Sequence, residues 1–227
     1  TPFRTAMTMG MFSLVVFAVV VLSGYSALVG NWLGDIGEDA RGEWEIVAFG
    51  DLDLGDNSSE WDLGEMQSSD FDGIATMHTA TVQVYQKGET DLENKSMYTN
   101  IRGFDSNFTS LSGLPLYSWE PSLGDTNEEV WNAILENDTL VVIDYTMAVE
   151  TYQGERGIIY EGMGLNIGDA IIVQDPFNPA INATFFIGAV MNEESGWFAG
   201  GVSVAKPIAI ERFEANPSSV WFSLPSD

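Results

Sequence analysis

Apolar and polar positions alternate with different periods along this chain of 227 residues, and the first feature is a gap in charge: residues 5–34 carry no formal charge at all. Their centre, residues 9–29 (MGMFSLVVFAVVVLSGYSALV), is apolar on every side and lacks the one-faced stripe of a soluble amphipathic helix. A helix needs roughly 20 mostly apolar residues to cross a hydrocarbon core about 30 Å thick. The run therefore predicts a transmembrane helix over residues 1–34, with Trp32 at interfacial height. A cleaved signal peptide has an apolar stretch of only about 7–15 residues. Ser23 to Ala27 resembles its cleavage site, but the run is too long for that reading.

Beyond the gap the period shortens. Residues 43–49 (EWEIVAF) alternate and predict a strand. Residues 51–73 are acidic and turn-rich, with a short helix expected near 59–66. Residues 74–86 (IATMHTATVQVYQ), rich in Thr and Val, predict a strand or strand pair, and 97–104 another. A long loop is expected over 105–121, which holds Pro115 with several Gly and Ser. Thr126-Asn127-Glu128-Glu129 is a capping box, followed by Val130, Trp131, Ile134 and Leu135 on one helix face. Residues 140–145 (LVVIDY) form a continuous apolar run, the pattern of a strand buried on both faces. Residues 165–174 pass through a Gly-Asp turn into a strand, 175–182 make the next turn, and 183–191 return. Residues 202–210 and 220–224 complete the set. Strands, one clear helix, then more strands predict an α+β domain over 35–227, with one or two short helices. A weak change of pattern near 151–163 marks a candidate sub-boundary.

Composition narrows the class. All 34 acidic residues follow residue 34, against seven bases there, and Arg4 is the single charge before the apolar run. By the positive-inside rule Arg4 places the N-terminal end of the helix in the cytoplasm and the acidic domain outside. The acidity excludes a nucleic-acid or anionic-lipid binder, since both need basic patches. A carboxylate-rich surface suits a salty environment, where screening shortens self-repulsion, and points to a halophilic or marine archaeal host. Seven Trp, seven Tyr and thirteen Phe supply a core and argue against disorder. With no Cys, disulfides and thiol chemistry are absent.

No catalytic constellation is visible. His78 is the one histidine, set among Thr and Val in a predicted strand, where a structural role outweighs a general base. Zinc and most transition-metal sites lack donors. No G-x-S-x-G elbow, Walker A loop or G-x-G-x-x-G occurs. Residues 51–62 resemble a calcium loop, but Asp56 and Asp62 stand where an EF-hand needs Gly and a bidentate Glu, so a solvated acidic loop is the better reading. Glu128-Glu129 and Glu193-Glu194 read as solvated faces. No catalytic, cofactor or metal residue is therefore assigned. Five sequons, at Asn57, Asn94, Asn107, Asn137 and Asn182, are candidate glycosylation sites if they face outside the cytoplasm. In the apolar run Ala6/Gly10, Ser23/Ala27 and Ser26/Gly30 are small-xxx-small pairs that allow close helix packing in a bilayer.

Two segments carry a family resemblance. Phe3-Arg4-Thr5-Ala6-Met7-Thr8-Met9-Gly10-Met11-Phe12, running into LVVFAVVVLS, resembles the start of a membrane helix in FtsX-like (MacB-type) ABC-transporter permeases. Leu165-Asn166-Ile167-Gly168-Asp169-Ala170-Ile171 is similar to the family's Leu-x-x-Gly-Asp-x-Ile turn. The flanking strands at 140–144 and 185–190 fit as well; residues 50–120 show no likeness. The resemblance implies a permease fragment whose partners are the lipid bilayer, a cytoplasmic ABC ATPase that binds the ATP, and a second permease copy or half. It implies no cofactor on this chain, and a domain that follows ATP-driven helix motion to move lipid, peptide or lipoprotein, or to signal mechanically. Two other readings stand: a singly anchored acidic surface glycoprotein, and an extracytoplasmic sensor domain or hydrolase built around His78.

If the apolar helix is a moving part, Ser23→Leu with Ala27→Leu should lower transport by the parent permease while insertion, measured by alkaline extraction of membranes, stays unchanged. Unaltered transport would make the helix a plain anchor.

Overall fold

Two long strands, each of which changes partner partway, organise the domain. β2 (Gly73–Gln86) pairs along one edge with β3 (Ser96–Phe104) from Met77 to Tyr85. Along its other edge, its first half pairs with β11 (Asn216–Ser223) and its last four residues with β8 (Ala170–Gln174). β9 (Asn182–Met191) pairs first with β8 and then with β4 (Leu116–Trp119) on one edge. On its other edge it runs parallel to β5 (Leu140–Ile143). β10 (Val202–Ala205) lies between β5 and β3, antiparallel to the first and parallel to the second. The path β2-β3-β10-β5-β9-β8 thus returns to β2, a closed ring of six strands with no edge of its own. β11 with β1 (Ile46–Phe49) extends from the ring at β2, and β4 extends from it at β9.

The computed structural model describes residues 44–49, 70–91, 95–111, 113–153 and 159–225, which belong to one compact unit, Glu38–Asp227. The apolar helix expected over residues 1–34, the short helix near 59–66 and the acidic loop at 51–62 lie outside the described residues. Among those described, no helix is long and apolar enough to cross a membrane.

The ring's interior follows from period-two alternation. Val82 and Val84, Ile101, Val141 and Ile143, Ile171 and Val173, Phe185 and Ile187, and Val202 and Val204 all point inward and are buried together. Each end is closed by a helix. β5 and β10 are antiparallel, so the elements that follow them sit at opposite ends. After β10, α4 (Lys206–Phe213) supplies Ile208, Ala209 and Phe213; after β5, α2 (Tyr145–Ala148) supplies Met147. A second core covers part of the outer face. Val142 points there, between its inward neighbours, and meets Val130, Trp131 and Ile134 of α1 (Asn127–Leu135). Phe104, Phe108, Trp44 and Trp221 complete it, with the Phe104 and Phe108 rings stacked at 4.0 Å. The Trp131 indole N–H donates to the Leu114 carbonyl at 2.7 Å, so this large ring is buried without an orphaned donor. Thr126 caps α1 and Glu129 returns the capping box.

The α+β class holds, with strands dominant. Of the strand expected over 140–145, residues 140–143 form β5, with Val141, Val142 and Ile143 buried on both faces; Asp144 then caps a helix that begins at Tyr145. Three further expectations need correction. The loop expected over 105–121 contains a 3-10 turn (Ser106–Leu111) and the strand β4. The strand expected over 202–210 stops at Ala205, because Pro207 in the first turn of α4 favours a helix start. Four α-helices are described, not one or two; α2 and α3 (Gly196–Ala199) are single turns. Residues 151–161 hold a small separate sheet of β6 (Thr151–Gln153) and β7 (Ile159–Glu161).

β3 and α4 approach so closely that a Cβ on Gly103 would lie 2.6 Å from Ala209 Cβ and 2.9 Å from Lys206 Cα. Gly103→Ala is therefore expected to destabilise the domain by about 1–3 kcal/mol through overpacking, and Phe185→Ala by about 3–5 kcal/mol through a cavity. Urea unfolding followed by tryptophan fluorescence reads both. A change below about 0.5 kcal/mol at Gly103 would contradict this contact.

Candidate functional site

The family-like turn sits where the ring closes. Gly168 takes a positive φ of 88° and Gly164 one of 63°, conformations that favour glycine. The Asp169 carboxylate accepts from the Asn166 N–H at 2.9 Å, and the Asp169 N–H donates back to the Asn166 carbonyl at 3.0 Å. The turn is tied to β9: Gly168 N–H donates to the Ile187 carbonyl at 2.8 Å, and Ile187 N–H to the Asp169 carbonyl at 3.0 Å. Leu165, only 2% exposed, anchors it in the ring's core. Leu165, Gly168 and Asp169 are thus brought together in structural roles, as core anchor, left-handed corner and turn cap respectively. They aim β8 between β2 and β9.

A second constellation is buried and polar. Asp144 follows β5 directly and caps α2, accepting from Met147 N–H at 3.1 Å and from the Thr146 hydroxyl. Its other oxygen accepts from Gly201 N–H at 2.7 Å, across 57 residues. Arg102, from β3, donates through Nε to the neighbouring Gly200 carbonyl at 2.6 Å. Burial pulls the guanidinium below its ordinary value and the nearby Asp144 carboxylate pushes it up; it stays charged in either case. Asp144 and Arg102 therefore grip the two glycines at the start of β10 from both sides. Sequence motifs alone do not single out this pair, although a base between Ile101 and Gly103-Phe104 in a strand and an Asp just after LVVI, with Tyr-Thr-Met behind it, carry the signal.

Among the described residues, three of the surface clefts bear charged or aromatic side chains. One of about 830 Å³ lies between β3 and the segment after β7, lined by Glu89, Lys95, Met97, Tyr98, Glu161 and Met163 among others. Glu89 pairs with Lys95 at 3.1 Å. Its carboxyl is held below the usual range, first by the Asp91 N–H and then by Lys95. One of about 390 Å³ lies between α1 and the start of α4, with Asp105, Asn132, Glu136, Asp138 and Lys206 on its walls. The third, about 310 Å³, adjoins the family-like turn beneath Tyr117 and Tyr145. His78 is 4% exposed within β2 and lines none of these three. Among the described residues no group of three or more His, Asp or Glu side chains is placed to hold a metal ion.

Arg4, Ala6, Gly10, Ser23, Ser26, Ala27, Gly30, Asn57 and Asn94 lie outside the described residues. Asn107 falls in the 3-10 turn, Asn137 between α1 and β5, and Asn182 at the start of β9, so the fold does not gather them. Glu129, read as a solvated charge, accepts from Asp125 N–H at 2.7 Å and Thr126 N–H at 3.2 Å, a capping role.

Asp144→Ala removes three accepted bonds, each about 1.5–3 kcal/mol because the acceptor is charged. A loss of at least about 3 kcal/mol in urea unfolding is expected; a loss under about 1 kcal/mol would contradict the grip on Gly201. At Glu89, a folded pKa below the unfolded one means its contribution is present above the unfolded value and is lost as pH falls through the folded one. Lys95→Gln should raise the Glu89 titration, followed by NMR, only part of the way, since the leading cause is a backbone N–H. A complete return would reverse that order of causes.

No family model matches the sequence, and no curated protein does. Among solved structures, the extracellular domain of the noncanonic ABC-type transporter YknZ from Gram-positive bacteria is similar, with a TM-score of 0.44 and 11% identity. That likeness covers 70% of this chain and 67% of the other. The periplasmic region of MacB from Actinobacillus actinomycetemcomitans is similar with a TM-score of 0.42 and 12% identity, over 70% of this chain and 60% of that region.

Proposed function

We propose that residues 35–227 form the extracytoplasmic domain of an ABC-transporter permease, which a separate cytoplasmic ATPase moves through the membrane helices. The observation that carries this reading is where the domain begins and finishes. β1 and β11 are antiparallel neighbours, with Ile46 opposite Phe222, and the Leu224 N–H donates to the Glu45 carboxylate at 3.0 Å. The chain therefore comes into and goes out of the domain at one point. That arrangement suits an insertion between two adjacent membrane spans.

The rest of the reading draws on the sequence resemblance: the Arg4-Thr5 start of the apolar run and the Leu165-Gly168-Asp169 turn. The closed ring suits the mechanical role. A ring of strands without an edge resists local fraying, which suits a domain that passes on displacement. Such coupling needs two states that differ in their contacts, not a catalytic centre. ATP is bound and hydrolysed on the partner subunit, this chain carries no cofactor, and a second permease copy or half joins it in the bilayer. The cargo is lipid, peptide or lipoprotein, or the output is a mechanical signal to a partner outside.

The test uses the parent permease in nanodiscs with its co-purified ATPase. Spin labels on Phe177→Cys, at the tip between β8 and β9, report distances between two copies of the domain. The distribution should shift between the nucleotide-free state and the ATP–vanadate state. An unchanged distribution, or a permease that retains no ATPase, would overturn the proposal.

A further inference from the structure

Three sequons lie among the described residues, and the fold treats them differently. At Asn107 the side-chain amide N–H donates inward to the Ile74 carbonyl at 3.2 Å. Its partner Thr109 is 5% exposed, with the hydroxyl turned to the Ser106 carbonyl at 3.0 Å. At Asn182 the amide N–H donates to the Pro179 carbonyl at 2.9 Å, and the residue is fixed in the β8–β9 ladder opposite Gln174. Asn137 is different. It lies in the tight turn from α1 to β5, where residues 136–139 are all exposed. Its side chain bonds through Oδ1 alone, accepting from Thr139 N–H at 3.0 Å and from the Thr139 hydroxyl at 2.8 Å. The amide nitrogen is left to solvent, and the hydroxyl that a sequon requires already sits against the amide.

We propose that, of the three sequons among the described residues, Asn137 is the one that carries an N-linked oligosaccharide, and that Asn107 and Asn182 stay unmodified. The inference rests on the extracytoplasmic placement proposed above, where lipid-linked sugar donors are used. In the transfer, Nδ2 of Asn137 bonds to the anomeric carbon of the first sugar. The bond from that carbon to the oxygen of a polyisoprenyl-linked phosphate breaks, the electron pair leaves with the phosphate, and one amide proton is released. At Asn137 the folded chain gives up no hydrogen bond of Nδ2 in this exchange. At Asn107 the nitrogen is engaged within the fold and the hydroxyl is buried; at Asn182 the nitrogen is engaged and the backbone is held in a ladder. The attached sugar would stand at the rim of the 390 Å³ cleft beside Glu136 and Asp138, keeping that face in solvent.

The experiment expresses the full chain in cells that attach N-glycans to exported proteins, in an Asn57→Gln, Asn94→Gln background. Glycan occupancy is read by intact mass before and after enzymatic deglycosylation. Phe177→Cys, in a chain without native cysteine, reports the side of the membrane through an impermeant maleimide. One glycan is expected, lost in Asn137→Gln and Thr139→Ala and retained in Thr139→Ser, Asn107→Gln and Asn182→Gln. A glycan lost in Asn107→Gln or Asn182→Gln overturns the assignment, as does an unglycosylated chain whose Phe177→Cys is labelled from outside. A chain that stays unlabelled in intact cells overturns the extracytoplasmic placement itself.

Discussion

The pairing of β8 with both β2 and β9 is the constraint on which the domain depends. β8 has five residues, yet it joins the two longest antiparallel strands into a ring. Without it the inward faces of β2, β5, β9 and β10 would meet water along a seam, and the valine, isoleucine and phenylalanine core would lose one wall. The turn before β8 is built to prevent that. Leu165 anchors it in the core, two glycines bend it, and Asp169 ties it to itself while its backbone bonds to Ile187. The family-like motif is thus explained by packing, with no reacting group required of it.

Ring closure also determines where the rest can go. β5 and β10 must lie inside the sheet, so their connections cross its ends, and α2 and α4 become plugs for one core. The outer face then needs its own cover, which α1 and the aromatic cluster around Phe104 and Phe108 provide. The crossing into β10 is the demanding step, because a buried strand has to start from a flexible Gly200-Gly201 pair. Asp144 and Arg102 hold that pair with charge-assisted bonds, which are among the stronger ones available inside a protein. Outside the ring, β1 and β11 bring the first and last strands of the domain together.

Much of this is legible in local pattern. The Thr- and Val-rich run of β2, the capping box of α1 and the unbroken apolar run of β5 each encode their element over a few residues. β4 is hidden because Pro115 and Gly113 mark it as loop, and its partners in β9 lie at least 70 residues away. α4 resembles a continued strand because the apolar run VSVA resumes after Lys206-Pro207 with Ile208, Ala209 and Ile210, although Pro207 marks the helix start. Closure is not legible at all, since it is a long-range property of which edges meet. The same holds for the Asp144–Gly201 bond and for the sequons. Asn107, Asn137 and Asn182 share one motif, and only the folded chain separates an exposed amide nitrogen from two that are engaged.

Native-state hydrogen exchange on the amides of Ala170–Gln174 tests the central claim most directly. If β8 closes the ring, those amides exchange with the same free energy as those of β5, through unfolding of the whole domain. Exchange of β8 through a separate low-energy opening, while β5 stays protected, would mean that the ring is open in solution and that closure does not hold the fold together.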